Sequence, residues 1–370
     1  MTPAGLPIPT PRRIPAPRLL RSRLLEALAA PHGVDRYLEL IRPTWPLRDL
    51  WAEVTGVRRE SVDSVTLTLR PNEHWRGFRA GQFIQLTVEI AGVRETRCYS
   101  LACGERSDRE IEITVKAHPA GRVSLYMNER ARPGMILGLS EAEGDFVLPS
   151  ERPERLLLIS GGSGITPVMS LLRTLRDEGH PGRVTFLHYA RTKRHIPYRD
   201  ELERIASSTP NVRMALACTR EPSALGAHLS RRQLRRVMPD YARAHTYVCG
   251  PPTLVAAARA LWAKDGIERP LHVESFQPPP SITSDVAEGS VHFARTGRRA
   301  TIDGRCLLEQ AERAGLRPRF GCRMGICRMC TARKTSGSVR NVLSGEISSR
   351  AEEDIQICIS RPIGDVELAL

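Results

Sequence analysis

The stretch FGCRMGICRMC, residues 320–330, places Cys322, Cys327 and Cys330 in a C-x4-C-x2-C run, and Cys358 follows in DIQICIS. Three clustered cysteines with a fourth from a separate segment is the ligand spacing of a [2Fe–2S] cluster. Two irons need four thiolates. Three come from one tight loop, and the fourth closes the second iron's tetrahedron from elsewhere. Gly321 and Gly325 let the loop turn its amides inward toward the sulfurs. A structural zinc site is the competing reading, and C-x4-C-x2-C with one distant cysteine is a poor match to it. The remaining cysteines, 98, 103, 218, 249 and 306, read as small buried hydrophobes.

Outward from the loop, residues 290–370 resemble a plant-type ferredoxin. GSVHFAR and RRATIDG are similar to its first hairpin, CLLEQAERAG to its helix and EDIQICISRPIGDVELAL to its closing strands. The resemblance implies a β-grasp fold. It departs from the usual acidic surface, because Arg317, Arg319, Arg323, Arg328, Arg333 and Lys334 surround the cluster loop.

Upstream the texture changes twice. In 48–150, WAEVTGV, SVDSVTLTLR, QFIQLTVEI, ETRCYSLA and EIEITVKA alternate apolar and polar residues between Gly, Pro and Asn turns, as in an antiparallel barrel. In 151–276, strands such as RLLLIS and RVTFLHYA alternate with helical segments such as TPVMSLLRTLRDEG, the pattern of a doubly wound parallel sheet. QPPPSITSDVAEG (277–289) reads as a linker. The fold class expected is therefore multidomain α+β. Residues 1–47 are an extension: a Pro- and Arg-rich segment, then a helix with Leu20, Leu24 and Leu28 at i,i+4 spacing. Packing on the next domain is the plainer role for that helix. Contact with a membrane surface or a partner is the alternative, and Glu26 and Asp35 fit a transit peptide poorly.

Arg97-Cys98-Tyr99-Ser100 ends a barrel strand, KAHPAGRVS (116–124) follows, and GGSGITP (161–167) and CGPP (249–252) come in order before the iron–sulfur loop. That series resembles the ferredoxin–NADP reductase superfamily, in its branch with a C-terminal ferredoxin domain. The resemblance implies that Arg97 pairs with the flavin phosphate, Tyr99 packs on the isoalloxazine and Ser100 bonds near N5. Gly121, Arg122, Val123 and Ser124 would give amides and a hydroxyl to the phosphates, as suits an anion at a helix start. Gly161, Gly162 and Gly164 let a dinucleotide approach the backbone, with Pro167 in the first helical turn. Gly250 and Pro251 close a later strand at the same sheet edge. Thr166 and Cys249 would border the nicotinamide, and Glu274 and Phe276 match an E-x-F pattern beside the flavin. Ser100, Cys249 and Glu274 are the catalytic candidates.

Arg191, Lys193 and Arg194 sit where the adenosine ribose belongs, and a 2′-phosphate attracts such cations. NADPH is the expected donor, with NADH the alternative; FAD is the expected flavin, with FMN open. The implied activity carries a hydride from NADPH to FAD and single electrons onward through the cluster, near about −400 mV, to a partner. RYLELIRPTWPLRDLWAEV (36–54) resembles reductases of membrane-bound acyl desaturases and alkane hydroxylases. The runner-up is the NADH-dependent reductase of a soluble ring-hydroxylating dioxygenase. A non-catalytic docking module would need damage in R-x-Y-S or GGSGITP, and both are intact. The basic rim predicts an acidic patch on the acceptor.

Composition agrees. The 370 residues are 41% apolar and 26% charged, enough for two or three cores. The net charge of +14 comes from 55 basic residues of which four are lysines, and no nucleic-acid motif accompanies it. No apolar run approaches the roughly 18 residues of a membrane span. With no secretory pattern, the reducing cytoplasm is the expected compartment, beside the inner face of the membrane if the partner sits there, and a monomer is expected.

Overall fold

The computed structural model describes residues 50–105, 110–119, 121–276, 288–325 and 327–370. The helix expected at Leu20–Leu28 and most of the expected linker lie outside them. No helix among the described residues is long and apolar enough to cross a membrane.

The first sheet is formed by β1 (Trp51–Ser61), β2 (Ser64–Pro71), β3 (Phe83–Ile90), β4 (Val93–Ser100), β5 (Ile111–Lys116) and, after helix α1 (Arg122–Arg130), β6 (Ile136–Leu139). Its order is β4-β3-β6-β1-β2-β5, antiparallel throughout. A bridge between Leu101 and Ile113 joins the two edges and closes the barrel. Alternation does the sorting: Ile84, Leu86 and Val88 point into a core shared with Leu67, Leu69 and Ile113.

The second sheet is parallel, with β7 (Arg155–Gly161), α2 (Ile165–Asp177), β8 (Arg183–Ala190), α3 (Arg199–Ser208), β9 (Val212–Cys218), α4 (Arg231–Val237), β10 (His245–Cys249), α5 (Pro252–Asp265) and β11 (Leu271–Glu274) in chain order. RLLLISG and RVTFLHYA are almost wholly buried, as strands covered on both faces must be. The strand order β11-β10-β7-β8-β9 reverses direction between β7 and β10. Open α/β sheets bind ligands at such a switch point, outside the strands' carboxyl ends. Gly164 lies there because a Cβ would collide with the Cys249 backbone.

The third sheet contains β12 (Ser290–Phe293), β13 (Arg298–Thr301), β14 (Thr331–Asn341), β15 (Ile347–Ser348), β16 (Glu353–Gln356) and β17 (Ser360–Leu368), with α6 (Leu307–Arg313) across it. The order is β13-β12-β17-β14-β15, with β16 also on β14; β12 and β17 run parallel and the other pairs antiparallel. Leu307, Leu308 and Ala311 of α6 fill a core with Val291, Phe293 and Ile357. Lys334 departs from expectation. It is fully buried on β14, its ammonium donating to the carbonyls of Gly337 (3.0 Å) and Arg350, so it holds the sheet and forms no part of a basic rim.

Candidate functional site

A cavity of about 1830 Å³ is lined by all three folded units: the end of β4, the loops after β7 and β10, and the cysteine loop. Arg97, Tyr99, Ser100, Gly121, Val123 and Ser124 line its barrel side. Gly161, Gly162, Thr166, Arg191, Gly250 and Pro251 line its sheet side, with Glu274 and Phe276 between. Arg122, Gly164, Lys193 and Cys249 do not line it.

The barrel side is built for an anion. Arg97 reaches Glu95 at 3.2 Å and Arg122 reaches the other oxygen of Glu95 at 3.1 Å, so two guanidiniums converge on one carboxylate at the barrel's edge. Glu95 was not anticipated, although its place two residues before Arg97 on one strand puts both on the same face. Beside them α1 starts at Gly121 without a side-chain cap. Its first amides are thus available to phosphate oxygens, and the helix dipole favours the charge. The Ser124 hydroxyl donates to the Gly121 carbonyl at 3.0 Å and accepts from the His118 amide at 3.1 Å, which fixes the turn.

Three buried polar atoms near the cavity, Ser100 Oγ, Glu274 Oε2 and Ser275 Oγ, lack a partner among the described residues. Leaving such atoms unpaired is costly, so a polar ligand here fits the chain well. Burial pushes the Glu274 carboxyl up to about 8, so it is neutral and able to donate near pH 7. Linkage then has a definite sign. An acid whose folded pKa exceeds its unfolded 4.5 loses stability for the protein as pH rises from about 4.5 to about 8. Glu274→Gln should therefore be the more stable protein at pH 7, by on the order of 3 kcal/mol, with the gap closing toward pH 4. Thermal melts of both proteins across that range check this. Parallel pH profiles would mean the carboxyl ionises normally.

Cys249 is fully buried at the end of β10, its thiol pushed well up by burial and by the Glu274 charge. Its side chain does not line the cavity. The adenosine end carries an acid as well as the expected cations. Arg191 lines the cavity, but Lys193 turns its backbone amide to Glu221 Oε2 at 2.9 Å. That acid comes from the loop after β9, too far along the chain for a reading of the β8 end to include it.

In the cysteine loop Arg323, Gly325 and Arg328 all take positive φ. Gly325 must be glycine, since a Cβ would lie 2.7 Å from Ile359. These turns aim amides at sulfur: Cys322 N reaches Cys327 Sγ at 3.2 Å, and Met324 N and Cys327 N reach Cys322 Sγ at 3.3 and 3.4 Å. The thiols pair as 322 with 327 and 330 with 358. Hydrogen bonds from Cys322 and Cys98 pull the Cys327 thiol down, and one from Cys358 pulls Cys330 down. Thiolates of this kind are what iron binds. Cys98, expected to be a passive buried residue, is half-buried, with its sulfur beside those of Cys322 and Cys327. The arginine rim is largely committed elsewhere. Arg323 pairs with Glu312 and lies 3.9 Å over Phe320, Arg328 reaches Asp145 at 3.3 Å, and Arg333 pairs with Glu352 and Asp354.

Three domain families match the chain: an oxidoreductase FAD-binding domain over residues 53–147, an oxidoreductase NAD-binding domain over 158–260 and a 2Fe-2S iron-sulfur cluster binding domain over 291–362. An NADPH oxidoreductase of Mycobacterium tuberculosis is 34% identical, the match covering 94% of this chain and 91% of that one. A glycine betaine monooxygenase reductase subunit of Pseudomonas aeruginosa is 31% identical over 78% of this chain and 86% of its own. The solved structure of phthalate dioxygenase reductase superposes with a TM-score of 0.56 at 23% identity, covering 87% of this chain and 98% of that one, and shows the same fold.

Proposed function

The chain belongs to the ferredoxin–NADP reductase superfamily, in the branch with a C-terminal [2Fe–2S] domain, and from that we propose that it is the electron-supplying component of an oxygenase system with NADPH as donor. It is an NAD(P)H-dependent oxidoreductase that uses FAD and a [2Fe–2S] cluster. The observation that carries the proposal is the single cavity shared by the R-x-Y-S strand, the glycine loop and the cysteine loop. Donor, flavin and cluster sites open on one space, so no large domain movement is needed between steps.

When bound, FAD converts two-electron donation by a nicotinamide into single-electron delivery to an iron–sulfur centre. The chain's own residues then have these tasks. Arg97 would hold the flavin phosphates with the first amides of α1. Ser100 and the neutral Glu274 carboxyl hydrogen-bond the polar edge of the ring system, while Tyr99 and Phe276 cover its faces. Gly161, Gly162 and Gly250 let the nicotinamide half of the donor approach the backbone, with the Thr166 hydroxyl beside it. Cys322, Cys327, Cys330 and Cys358 ligate the cluster.

Arg191 would contact the 2′-phosphate of NADPH. Arg191→Ala should then raise the NADPH KM by about tenfold or more and leave NADH nearly untouched, as expected for loss of a charge-assisted bond. Steady-state kinetics with both donors check it. Glu221 favours a second reading, NADH preference, since a carboxylate suits ribose hydroxyls. A wild-type preference for NADH, unchanged by the substitution, would establish that reading and end the first.

The acceptor is proposed as an oxygenase because the glycine betaine relative is named as a monooxygenase reductase subunit. A membrane-bound acyl desaturase or alkane hydroxylase rests on residues 36–54 alone, of which 36–49 lie outside the described residues. Docking through an acidic acceptor patch would fall to Arg317 and Arg319, the rim arginines without an ion pair among the described residues. Co-purification with the native acceptor tests the whole reading, and a preparation without flavin, iron and sulfide would overturn it.

A further inference from the structure

Cys98 is a fifth sulfur where a [2Fe–2S] cluster needs four. It stands on β4 opposite Gln85, on the strand face turned away from the barrel core, between Arg97 and Tyr99 of the flavin strand. Its Sγ and those of Cys322 and Cys327 all lie within 4.8 Å of one another, although they come from different folded units. Among the described residues, the other polar contact seen between barrel and cysteine loop, Arg328 with Asp145, joins side chains that are 73% and 94% exposed. Such a pair holds domains together only weakly. The sulfur contact is the more protected of the two.

We propose that the Cys98 thiol donates a hydrogen bond to the cluster's thiolate ligands at Cys322 and Cys327, positioning the cluster against the flavin strand and raising its reduction potential. The inference rests on the proposed assignment of Cys322, Cys327, Cys330 and Cys358 as ligands. An S–H group is a donor, if a weak one, and a metal-bound thiolate is an acceptor. Reduction adds negative charge to the cluster and its sulfurs, so a donor aimed at them stabilises the reduced form more than the oxidised one. Hydrogen bonds to sulfur are among the main determinants of cluster potential. A thiol carried by the strand that also holds the flavin would favour transfer in the direction flavin to cluster. Cys98 acts through the ligands and is a positioning residue.

The test is an EPR-monitored redox titration of the FAD- and cluster-loaded wild type, Cys98→Ala and Cys98→Ser, with iron and sulfide measured on each. The expected result is a midpoint shifted to more negative potential in Cys98→Ala and largely restored in Cys98→Ser, which keeps a donor of similar size. In wild-type protein exchanged into D2O, pulsed EPR of the reduced cluster should detect a deuteron coupling that Cys98→Ala lacks. The amides of Cys322, Met324 and Cys327 exchange as well, so the bond is read as the part of the coupling that Cys98→Ser keeps and Cys98→Ala loses. Cys98→Val stands in if the alanine variant fails to fold, and equal spectra in all of them overturn the proposal. Unchanged midpoints in both variants would overturn the proposal, and so would equal shifts in both, which would make Cys98 a packing residue. A wild type without iron and sulfide would instead sink the ligand assignment.

Discussion

Cys358→Ser should abolish the [2Fe–2S] signal and electron delivery to the acceptor, while NADPH-driven ferricyanide reduction should persist. Cys358 sits in the turn between β16 and β17, 5% exposed, between Ile357 and Ile359 of the third domain's core. Cys358 is the hydrogen-bonding partner of Cys330, so its loss removes the sulfur paired with that ligand. Cys322 is a poorer choice for this experiment, because Cys98 lies beside it and could replace a lost ligand. Ferricyanide takes electrons from the flavin, and the flavin and nucleotide residues belong to the first two sheets. The apolar core of the third domain is self-contained, so its loss of metal should leave the others folded. Metal analysis, EPR and the two activities measured side by side check it. If dye reduction disappears along with the cluster, the domains depend on one another and the modular arrangement fails.

What the sequence made legible was whatever depends on local spacing. The cysteine run, the strand alternation of 48–150 and the buried strands before GGSGITP each carry their meaning within a dozen residues. Arg97, Ser100, Glu274 and Phe276 were recoverable because they belong to such strings, and the cavity brings them together. The contacts that escaped notice join distant segments. Glu221 reaches Lys193 across two strands, and Cys98 meets the cysteine loop from another domain. Cys249 lies in a motif that was recognised, and its side chain is fully buried and outside the cavity lining. Part of the arginine rim is paired in a way the sequence does not show. Charge in a sequence says nothing of whether Glu312, Asp145 or Glu352 already answers it.

Arg173 is the clearest case of a long-range contact, and Arg173→Ala should be among the most destabilising substitutions in the chain. It lies on α2 in LLRTLRD, where an arginine reads as ordinary helix surface, yet the residue is 7% exposed. Its guanidinium donates to the Ala102 carbonyl at 2.9 Å, to Glu112 at 2.7 Å and to both oxygens of Glu201 at 2.9 and 2.5 Å. It also lies 5.1 Å over the Tyr198 ring. Glu112 belongs to the flavin barrel and Glu201 to α3, so one side chain ties the first two domains together. Burial alone would lower its pKa, but the bonds and charge of Glu201 reverse that and hold it charged. Truncation leaves Glu112 and Glu201 with only longer contacts, to Arg58 at 3.7 Å and Arg176 at 3.6 Å, and breaking a buried pair from one side costs about 3–5 kcal/mol. For a protein of this size that is roughly a 5 °C fall in Tm. Arg173→Lys keeps the charge but not the forked geometry and should fall between. The pH dependence follows from Glu201: burial would raise its pKa, but Arg173 holds it below the usual value of 4.5. Its contribution is thus present above about 4.5 and lost as pH falls through the lower folded pKa, so wild type and Arg173→Ala should converge in acid. NADPH-to-flavin transfer should slow as well, because displacing one domain against the other by an ångström spoils the reacting geometry. A variant that melts within a degree or two of wild type at neutral pH, with transfer unaltered, would mean that apolar packing and not this ion cluster sets the domain angle.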